Sequence, residues 1–289
     1  MLALLLLLGS ITSLPTSPAS PPPSLPLSSL FLSVKTSSSL HSSRLPSLLS
    51  TWLPQAGSSA HLFTDAPPSP SMASSLASLG TSLTVTSCPP DHGRSALCCK
   101  MQAELEAFLA SPQQEDWFCH LDDDNYVHLA GLLALLAHYP SSEEHYLGKS
   151  SIARPLELLD RRQEPPAPVS FLFGTGGAGV CISRPVLARL ELEHGLVSGF
   201  QQAGDTIRLP DDVTLGYLME VMLGLGLSQV QGLHSHLEPL HRVRAGQGLV
   251  TASYSQDNSL HIGQDTGADP TGFLKLHQLL HQEEGINMP

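Results

Sequence analysis

The sequence is poor in positive charge. Its 289 residues include 14 Lys and Arg against 26 Asp and Glu, a formal net charge of -12 with His neutral. Nucleic acids and anionic membrane surfaces are bound through clustered Lys and Arg. The composition therefore excludes bulk binding to either and predicts no nucleic-acid partner. A phosphorylated substrate would need a cation to screen its charge from so acidic a chain.

Several sequence motifs are also absent. There is no G-x-S-x-G, no Walker loop and no H-E-x-x-H, so hydrolase, P-loop and zinc-protease functions lack support. No CxxC pair is present, which disfavours a structural zinc ribbon. Five cysteines predict two disulfides and one free thiol in an oxidising compartment, whereas five reduced thiols would suit a cytosolic protein. The cysteines are Cys88, Cys98, Cys99, Cys119 and Cys181.

The first 29 residues differ in composition from the rest. Residues 1–9 are almost entirely apolar, but a bilayer-spanning helix needs about 20 apolar residues. We interpret this run, which lacks a preceding Lys or Arg, as a signal-like segment or a truncated membrane anchor that directs the chain into the secretory pathway. Residues 10–29 are rich in Ser and Pro and predict a stem. Residues 30–289 are expected to form one catalytic domain.

Short apolar runs alternate with helical patterns over the first half of this domain. The runs at 30–34, 61–65, 82–87 and 116–121 predict strands, and those at 44–53, 96–111 and 129–139 predict helices. Pro46 is expected in the first turn of its helix, residues 67–75 in a loop, and the helix at 129–139 in the interior. The alternation indicates an α/β domain with a mainly parallel sheet.

The second half has a looser pattern. Residues 145–150 and 171–183 look β-like, and the Pro- and charge-rich segment 154–168 separates them. Residues 211–223 predict a helix and 273–282 a closing helix. The segments 249–254 and 259–263 predict two short strands.

Three consecutive carboxylates, residues 122–124, follow the apolar strand at 116–121. In parallel sheets ligands bind at the carboxyl ends of strands, so this position favours chemistry. On an extended backbone Asp122 and Asp124 would share one face and Asp123 the other. An EF-hand is rejected, because its sixth and twelfth positions need Gly and Glu where the chain has Val127 and Leu133. The remaining alternative is a solvated helix N-terminus.

Residues 174–179 read GTGGAG and fit G-x-G-x-x-G. A dinucleotide site needs a helix directly after this motif, but VCIS, a strand pattern, follows. We therefore favour a tight bend where the backbone approaches a ligand or another chain segment.

Two further polar groups are candidates for chemistry. Asp211 and Asp212 follow Pro210 at a predicted helix start; one would be the N-cap, and the other could be a general base. His234 and His236 lie on one face of an extended segment and could ligate a metal, although the chain has 14 His and the pair could be incidental.

Taken in order, several strings resemble the Fringe family of Golgi glycosyltransferases from about residue 30 to 270. They are SVKTSSSLHSSRLPSLLSTWL, HLFTD, ALCCKM, WFCHLDDDNYV, YLGKSSIARP, TGGAGVCIS, IRLPDDVTLGY and GLHSHLE. ALCCKM and DPTGF favour the radical fringe branch. The resemblance implies a GT-A-type α/β fold and transfer of N-acetylglucosamine from UDP-GlcNAc, in β1,3 linkage, to O-linked fucose on EGF-like repeats such as those of Notch. It also implies an inverting, Mn²⁺-dependent reaction that modulates Notch signalling.

The resemblance assigns roles by motif. Asp124 and His236 would ligate Mn²⁺, Arg44 and Asp123 would contact the donor, and Asp212 would be the catalytic base. The elementary chemistry agrees, since Mn²⁺ accepts mixed oxygen and nitrogen ligands and an inverting displacement needs one base and no covalent intermediate.

The resemblance also implies disulfides between Cys88 and Cys99 and between Cys119 and Cys181, with Cys98 free. It implies a type II membrane protein of the Golgi lumen, or a secreted one because the apolar run is short.

The chain departs from the family pattern at several positions. Leu172 stands where Trp is usual and Gly174 is an added glycine, and these two changes together are expected to loosen a wall of the site. Val213 replaces Cys. The C-terminal cysteine pair is absent, and the chain after Phe273 does not match. These departures keep a second hypothesis open, a catalytically weak or inactive relative that only binds EGF-like repeats or nucleotide. The retained Asp, Arg and His residues favour an active enzyme.

Overall fold

The computed structural model describes residues 25–160, 164–246, 248–262 and 269–283. The apolar segment 1–9 and most of the predicted stem lie outside the described residues. Leu27–Ser29 form a short 3-10 turn that leads into the first strand. Among the described residues no helix has both the length and the apolar character needed to cross a bilayer.

Twelve strands and nine α-helices lie in the described part of the chain. The strands are β1 Leu30–Lys35, β2 Ala60–Thr64, β3 Ser82–Val85, β4 Trp117–Asp122, β5 Asn125–Val127, β6 Tyr146–Gly148, β7 Leu156–Asp160, β8 Ala167–Phe171, β9 Val180–Ser183, β10 Ser228–Gln229, β11 Leu233–His234 and β12 Thr251–Ser253. The helices are α1 His41–Leu49, α2 Leu53–Ala56, α3 Pro70–Ser78, α4 Arg94–Leu109, α5 Leu129–Leu136, α6 Arg184–His194, α7 Phe200–Ile207, α8 Asp211–Tyr217 and α9 Phe273–Glu283.

The main sheet has seven strands in the order β10-β6-β9-β4-β1-β2-β3. Every pair is parallel except those of β9, which runs antiparallel to β4 and β6. The side chains of β1 point alternately to the two faces of the sheet. Leu30, Leu32 and Val34 lie in the core on one face, and Phe31 lies in the core on the other. The predicted α/β class, with a mixed, mainly parallel sheet between helices, is confirmed.

Smaller sheets complete the domain. Strand β12 pairs with β11 and with β5, and the latter pair is antiparallel. Strands β7 and β8 form a separate antiparallel pair. Strand β7 and the first two residues of β8 lie in the segment 154–168, for which the sequence pattern predicted no element. Helix α8 continues into a π-helical turn, Leu218–Met222, in agreement with the predicted helix at 211–223.

Four details of the predicted elements are wrong. Residues 67–75 are not all loop, because Ser69 accepts a hydrogen bond from the Met72 amide and starts α3. Pro46 lies inside α1 rather than in its first turn; Pro46 and Ser42 are exposed, so water can satisfy the carbonyl that the ring leaves unpaired. The segment 259–262 forms no strand. Helix α5 ends at Leu136 and buries only one side.

Candidate active site

The polar residues of β1 and β4 fall on one face of the sheet. The two parallel strands pair in a register that sets Ser33 beside His120 and Lys35 beside Asp122. Because side chains alternate along a strand, these four point to the side opposite Leu32 and Cys119. Helix α4 packs over this face. The part of the site that these residues form therefore lies in the interior of the domain.

A chain of charged groups crosses this buried face. The Glu104 carboxylate on α4 accepts hydrogen bonds from Ser33 Oγ at 2.8 Å and from His120 Nδ1 at 2.6 Å. Lys35 Nζ lies 3.4 Å from His120 Nε2 and donates to Asp211 Oδ2 at 2.5 Å. Buried charges need such partners, and the network ties β1, β4 and α4 to the start of α8.

The pKa values of Lys35, His120 and Asp122 are set by burial and by the charges of their neighbours in this network. Burial opposes the charged form of Lys35, yet Asp122 and Asp211 hold its pKa well above the ordinary value. Burial likewise opposes protonation of His120, but Glu104 raises the pKa of the imidazole to about 9. Burial would raise the pKa of Asp122, yet Lys35 and His120 hold it far below its usual range. Lys35, His120 and Asp122 are therefore charged at neutral pH.

The other two carboxylates of the triplet lie in a turn after β4. Both contact Arg44 of α1, whose Nη1 donates to Asp123 Oδ1 at 2.6 Å and to Asp124 Oδ2 at 3.0 Å. The predicted alternation, with Asp122 and Asp124 on one face, is therefore wrong, because the strand ends at Asp122. Asn125 fixes the turn by accepting a hydrogen bond from the Asp122 amide.

The helix-start alternative for the triplet is also excluded by this geometry, since the strand β5 separates the turn from α5. Burial raises the pKa of Asp123, opposed by Arg44. Burial and the Asp122 carboxylate raise the pKa of Asp124 to about 7. Asp124 is thus a buried carboxylate that needs more positive charge than its neighbours supply.

Ser253 of β12 connects Asp124 to His236. Its hydroxyl donates to Asp124 Oδ1 at 3.3 Å and lies 3.1 Å from His236 Nδ1. Since the hydroxyl has one proton, His236 Nδ1 must be the donor in the second contact, which leaves the lone pair of Nε2 for another ligand. His234 instead contacts Glu238 at 3.2 Å, so the two histidines do not act as a pair.

This donor set fits a divalent cation. A carboxylate short of positive charge and an imidazole with its proton fixed on Nδ1 are the oxygen and nitrogen donors that Mn²⁺ accepts. Among the described residues no three His, Cys, Asp or Glu side chains are grouped so as to hold a metal by themselves. Asp124 and His236 would therefore supply two ligands and leave positions for substrate oxygens and water.

The glycine-rich bend lies between His236 and Asp212. A Cβ on Gly177 would stand 3.3 Å from His236 Cε1, and one on Gly176 would stand 3.8 Å from Asp212 Cβ. Asn125 Nδ2 donates to the Gly177 carbonyl at 2.8 Å, which holds the bend against the carboxylate turn. A strand, β9, follows the bend where a dinucleotide site would need a helix, so a dinucleotide site is excluded. The predicted close approach of the bend to another chain segment is confirmed.

Asp211 and Asp212 stand in the first turn of α8, and neither is its N-cap, which is Pro210. Asp211 is instead the buried partner of Lys35. Asp212 is half-buried and accepts hydrogen bonds from the Gly176 amide at 3.3 Å and the Val213 amide at 2.8 Å. Burial and the Asp211 carboxylate raise the pKa of Asp212 to about 6, which suits a general base at neutral pH.

A cavity of about 620 Å³ opens beside the carboxylate turn. Its wall includes charged and polar groups from β1, α1, the turn and the segment after β11, among them Lys35, Thr36, Arg44, Asp122, Asp123, Asp124 and His236. The volume and polar lining of this cavity suit a nucleotide-sugar better than they suit the flat surface of a protein partner.

Sequence reasoning missed the buried network of Lys35, His120 and Glu104 and the bridging Ser253. A signal for the first two was available, because LFLSVK and WFCHLD each carry polar residues at alternate positions of an apolar strand. Glu104 lay within an amphipathic helix pattern, where a solvent-facing carboxylate is the ordinary expectation, yet its side chain is fully buried.

Gly174 does not loosen the site as expected. It is buried, and a Cβ there would stand 2.5 Å from Val180 Cγ1, so the space is already filled. Its amide donates to the Tyr146 hydroxyl at 2.8 Å. Leu172 is half-buried, and its amide donates to Glu220 at 3.0 Å.

Both disulfides implied by the resemblance are confirmed, Cys88–Cys99 and Cys119–Cys181. The second joins directly opposed residues of β4 and β9, and β4 is the strand that leads into the carboxylate turn. Cys98 is free and buried; burial and the nearby Asp211 raise the pKa of its thiol to about 12, so it is not a reactive thiolate.

Residues 25–284 match the Fringe-like family. The human β-1,3-N-acetylglucosaminyltransferase lunatic fringe is 39% identical over 264 residues, which cover 88% of this chain and 67% of that protein. The Fringe glycosyltransferase of Drosophila melanogaster is 41% identical over 266 residues, covering 89% of this chain and 63% of that protein. Radical fringe of Notophthalmus viridescens is 38% identical over 263 residues, covering 88% and 65%.

The lunatic fringe and radical fringe relatives have nearly the same identity to this chain. The identities therefore do not assign the chain to the radical branch. Among solved structures, the glycosyltransferase GlyE of Streptococcus pneumoniae aligns with a TM-score of 0.46 and 12% identity, covering 90% of this chain and 66% of that one.

Proposed function

The chain belongs to the Fringe-like family of glycosyltransferases, and from that premise we propose that it transfers N-acetylglucosamine from UDP-GlcNAc to O-linked fucose on EGF-like repeats. The linkage formed is β1,3, the anomeric centre is inverted, and the reaction requires Mn²⁺. The transfer takes place in the Golgi lumen. The acceptors include the EGF-like repeats of Notch receptors, so the activity modulates Notch signalling. One arrangement carries the proposal: Asp212 stands on one side of the glycine-rich bend, and Asp124 with His236 stands on the other.

The donor binds in the cavity beside the carboxylate turn. A UDP-sugar brings a diphosphate to a chain of net charge -12, so positive charge must accompany it. Asp124 and His236 would hold Mn²⁺, and the bound ion would supply positive charge to stabilise the departing UDP. Arg44 is one-third exposed and faces the cavity from α1, so it can contact donor phosphate while Asp123 keeps its guanidinium in place.

Asp212 takes the proton from the attacking fucose hydroxyl. Its two backbone hydrogen bonds fix the carboxylate in one orientation, and its pKa of about 6 leaves it ionised yet basic at neutral pH. As the proton moves to Asp212, the fucose oxygen bonds to the anomeric carbon and the bond from that carbon to UDP breaks. One base is enough for this single displacement, which inverts the anomeric centre.

Asp211 and Lys35 support this base without taking part in proton transfer. Their buried ion pair anchors the start of α8 to the sheet, and the Asp211 charge contributes to the raised pKa of Asp212. The two disulfides support a lumenal or extracellular location, because disulfides persist in oxidising compartments.

The test is a transfer assay with radiolabelled UDP-GlcNAc and a synthetic EGF-like repeat that carries O-linked fucose, with Mn²⁺ or with chelator. We expect label on the fucosylated repeat only when Mn²⁺ is present, and much less from UDP-galactose or UDP-glucose at equal concentration. UDP binding without transfer to the fucosylated repeat would instead favour the catalytically inactive relative. Transfer at full rate in chelator would reject the role of Mn²⁺.

A further inference from the structure

Helix α9 carries two histidines one turn apart on the same face. His277 and His281 are separated by four residues, the spacing at which side chains of a helix are neighbours, and their ring centroids are 4.2 Å apart. Both side chains are more than nine-tenths buried, with exposed fractions of 3% and 6%. The sequence resemblance was expected to end before them, but the family match over residues 25–284 includes both. The proposed reaction does not use them.

Both rings direct the same nitrogen toward Gln55 of α2. The Gln55 side-chain amide lies 3.5 Å from His277 Nε2 and in closer hydrogen-bond contact with His281 Nε2. Rotation of the amide by 180° puts its oxygen in the place of its nitrogen. Both imidazole Nε2 atoms therefore face the Gln55 side-chain amide, whose oxygen can act as a third donor. Because Gln55 is exposed, these three donors can be reached from solvent.

The remaining ring contacts fit metal-binding histidines. The Tyr126 hydroxyl lies 3.0 Å from His277 Nδ1. When Nδ1 donates its proton to that oxygen, the lone pair of Nε2 faces Gln55, as in ligating histidines whose second nitrogen is held by a neighbour. Among the residues that the structure describes, His281 Nδ1 is buried without a hydrogen-bond partner, and the polar contact of this side chain with Gln55 is made through Nε2.

We propose that His277, His281 and Gln55 form a second metal site, for a borderline transition-metal ion of the Zn²⁺ type. Imidazole nitrogen suits Zn²⁺, Cu²⁺ and Ni²⁺, whereas Ca²⁺ and Mg²⁺ require carboxylate-rich oxygen sites. No third His, Cys, Asp or Glu completes the group within the described ranges. Water entering past Gln55 could occupy further positions of the coordination shell.

Such an ion would link α2 to α9. It would also act on Tyr126, which stands in β5 two residues after Asp124 and pairs across the small sheet with Ala252, the neighbour of Ser253. Metal binding would therefore stabilise the closing helix against the strands that position Asp124 and His236. This site is separate from the one proposed for Mn²⁺, with different donors and a different preference among metals.

The test is thermal unfolding of the chelator-dialysed full chain, followed by circular dichroism, with and without micromolar Zn²⁺. We expect Zn²⁺ to raise Tm by roughly 5 °C at a hundredfold excess over Kd, and Mg²⁺ to leave Tm unchanged. His281→Gln should lose the Zn²⁺ shift. Asp124→Ala, which alters the other metal site, should keep it.

Gln55→Ala covers the case in which His281→Gln does not fold, because Gln55 is exposed and its removal leaves the buried imidazoles in place. Its midpoint in a titration with Co²⁺, read by visible absorption, should move to at least about tenfold higher metal concentration, by the loss of one donor. The absence of any Zn²⁺ shift in the wild type would overturn the proposal. So would an undiminished shift in His281→Gln, or an unchanged Co²⁺ midpoint in Gln55→Ala.

Discussion

Asn substitutions of two neighbouring carboxylates, Asp211 and Asp212, should have different effects. One should lower the stability of the fold, and the other should lower the rate of transfer. Both stand in the first turn of α8, and the substitution changes neither size nor helix position. Among the described residues, Asp212 accepts its hydrogen bonds from backbone amides, whereas Asp211 is the partner of a buried lysine. We therefore expect Asp212→Asn to be folded and inactive and Asp211→Asn to be unstable.

For Asp212→Asn two small effects on stability oppose each other. One of the hydrogen bonds from the Gly176 and Val213 amides loses its acceptor, which costs about 1 kcal/mol. Conversely, burial and Asp211 disfavour the ionised carboxylate, and Asn removes that charge. The net change in the free energy of unfolding should stay within about 1 kcal/mol, while transfer should fall by about 10²–10⁴-fold, as for the loss of a general base.

For Asp211→Asn the loss falls on Lys35. Its side chain is 9% exposed, and its ammonium group loses a partner at 2.5 Å. Among the described residues, the Asp122 carboxylate at 3.4 Å remains as its ionic partner. Removal of one partner from a buried ion pair costs about 3–5 kcal/mol. Because Asp122 remains, we expect about 3 kcal/mol, a fall in Tm of roughly 6–12 °C for a chain of this size.

Calorimetric Tm and initial transfer rates at 20 °C, measured on both variants, test this contrast. In the wild type, kcat should also fall as pH drops below about 6, the pKa of Asp212, because protonation removes the base. Near wild-type transfer by Asp212→Asn would remove this residue from the mechanism. A stable but inactive Asp211→Asn would move the base by one residue.

Three further changes probe the rest of the site. Asp124→Ala should abolish Mn²⁺-dependent UDP binding in isothermal calorimetry and His236→Ala should weaken it less; unchanged affinity in either folded variant would contradict its role as a ligand. Gly177→Ala places a Cβ 3.3 Å from the His236 ring and should weaken the same binding with little change in Tm, whereas full affinity would show that the ring is not held by the bend. Non-reducing peptide mapping should find Cys119 linked to Cys181, and free Cys119 would contradict the packing of the bend beside the carboxylate turn.

The features that local pattern governs were predictable. Short apolar runs placed β1 and β4 in the sheet, and the abrupt change to polar residues placed the carboxylate triplet at a strand end. The turn at Asp123 and Asp124 was not predictable from alternation, because it depends on Asn125, which accepts a hydrogen bond from Asp122 and donates to Gly177, 52 residues further along.

The buried polar network was harder to infer, because its members are distant in sequence. Ser33 and Glu104 are 71 residues apart, and Lys35 and Asp211 are 176 apart. No periodicity reports such contacts; they follow from the register of two parallel strands and the helices that cover them. The resemblance located Asp124 and His236, but only the structure brings Ser253 between them.

The most direct test of the proposed function is the structure of the product that the wild-type chain makes. After incubation with UDP-GlcNAc, Mn²⁺ and an O-fucosylated EGF-like repeat, NMR of the released disaccharide should show one N-acetylglucosamine β-linked to O3 of fucose. A repeat without fucose should stay unmodified, since Asp212 then has no fucose hydroxyl to deprotonate. An α-linked product, modification of the repeat without fucose, or no product from a folded chain that binds UDP would contradict the proposed inverting mechanism.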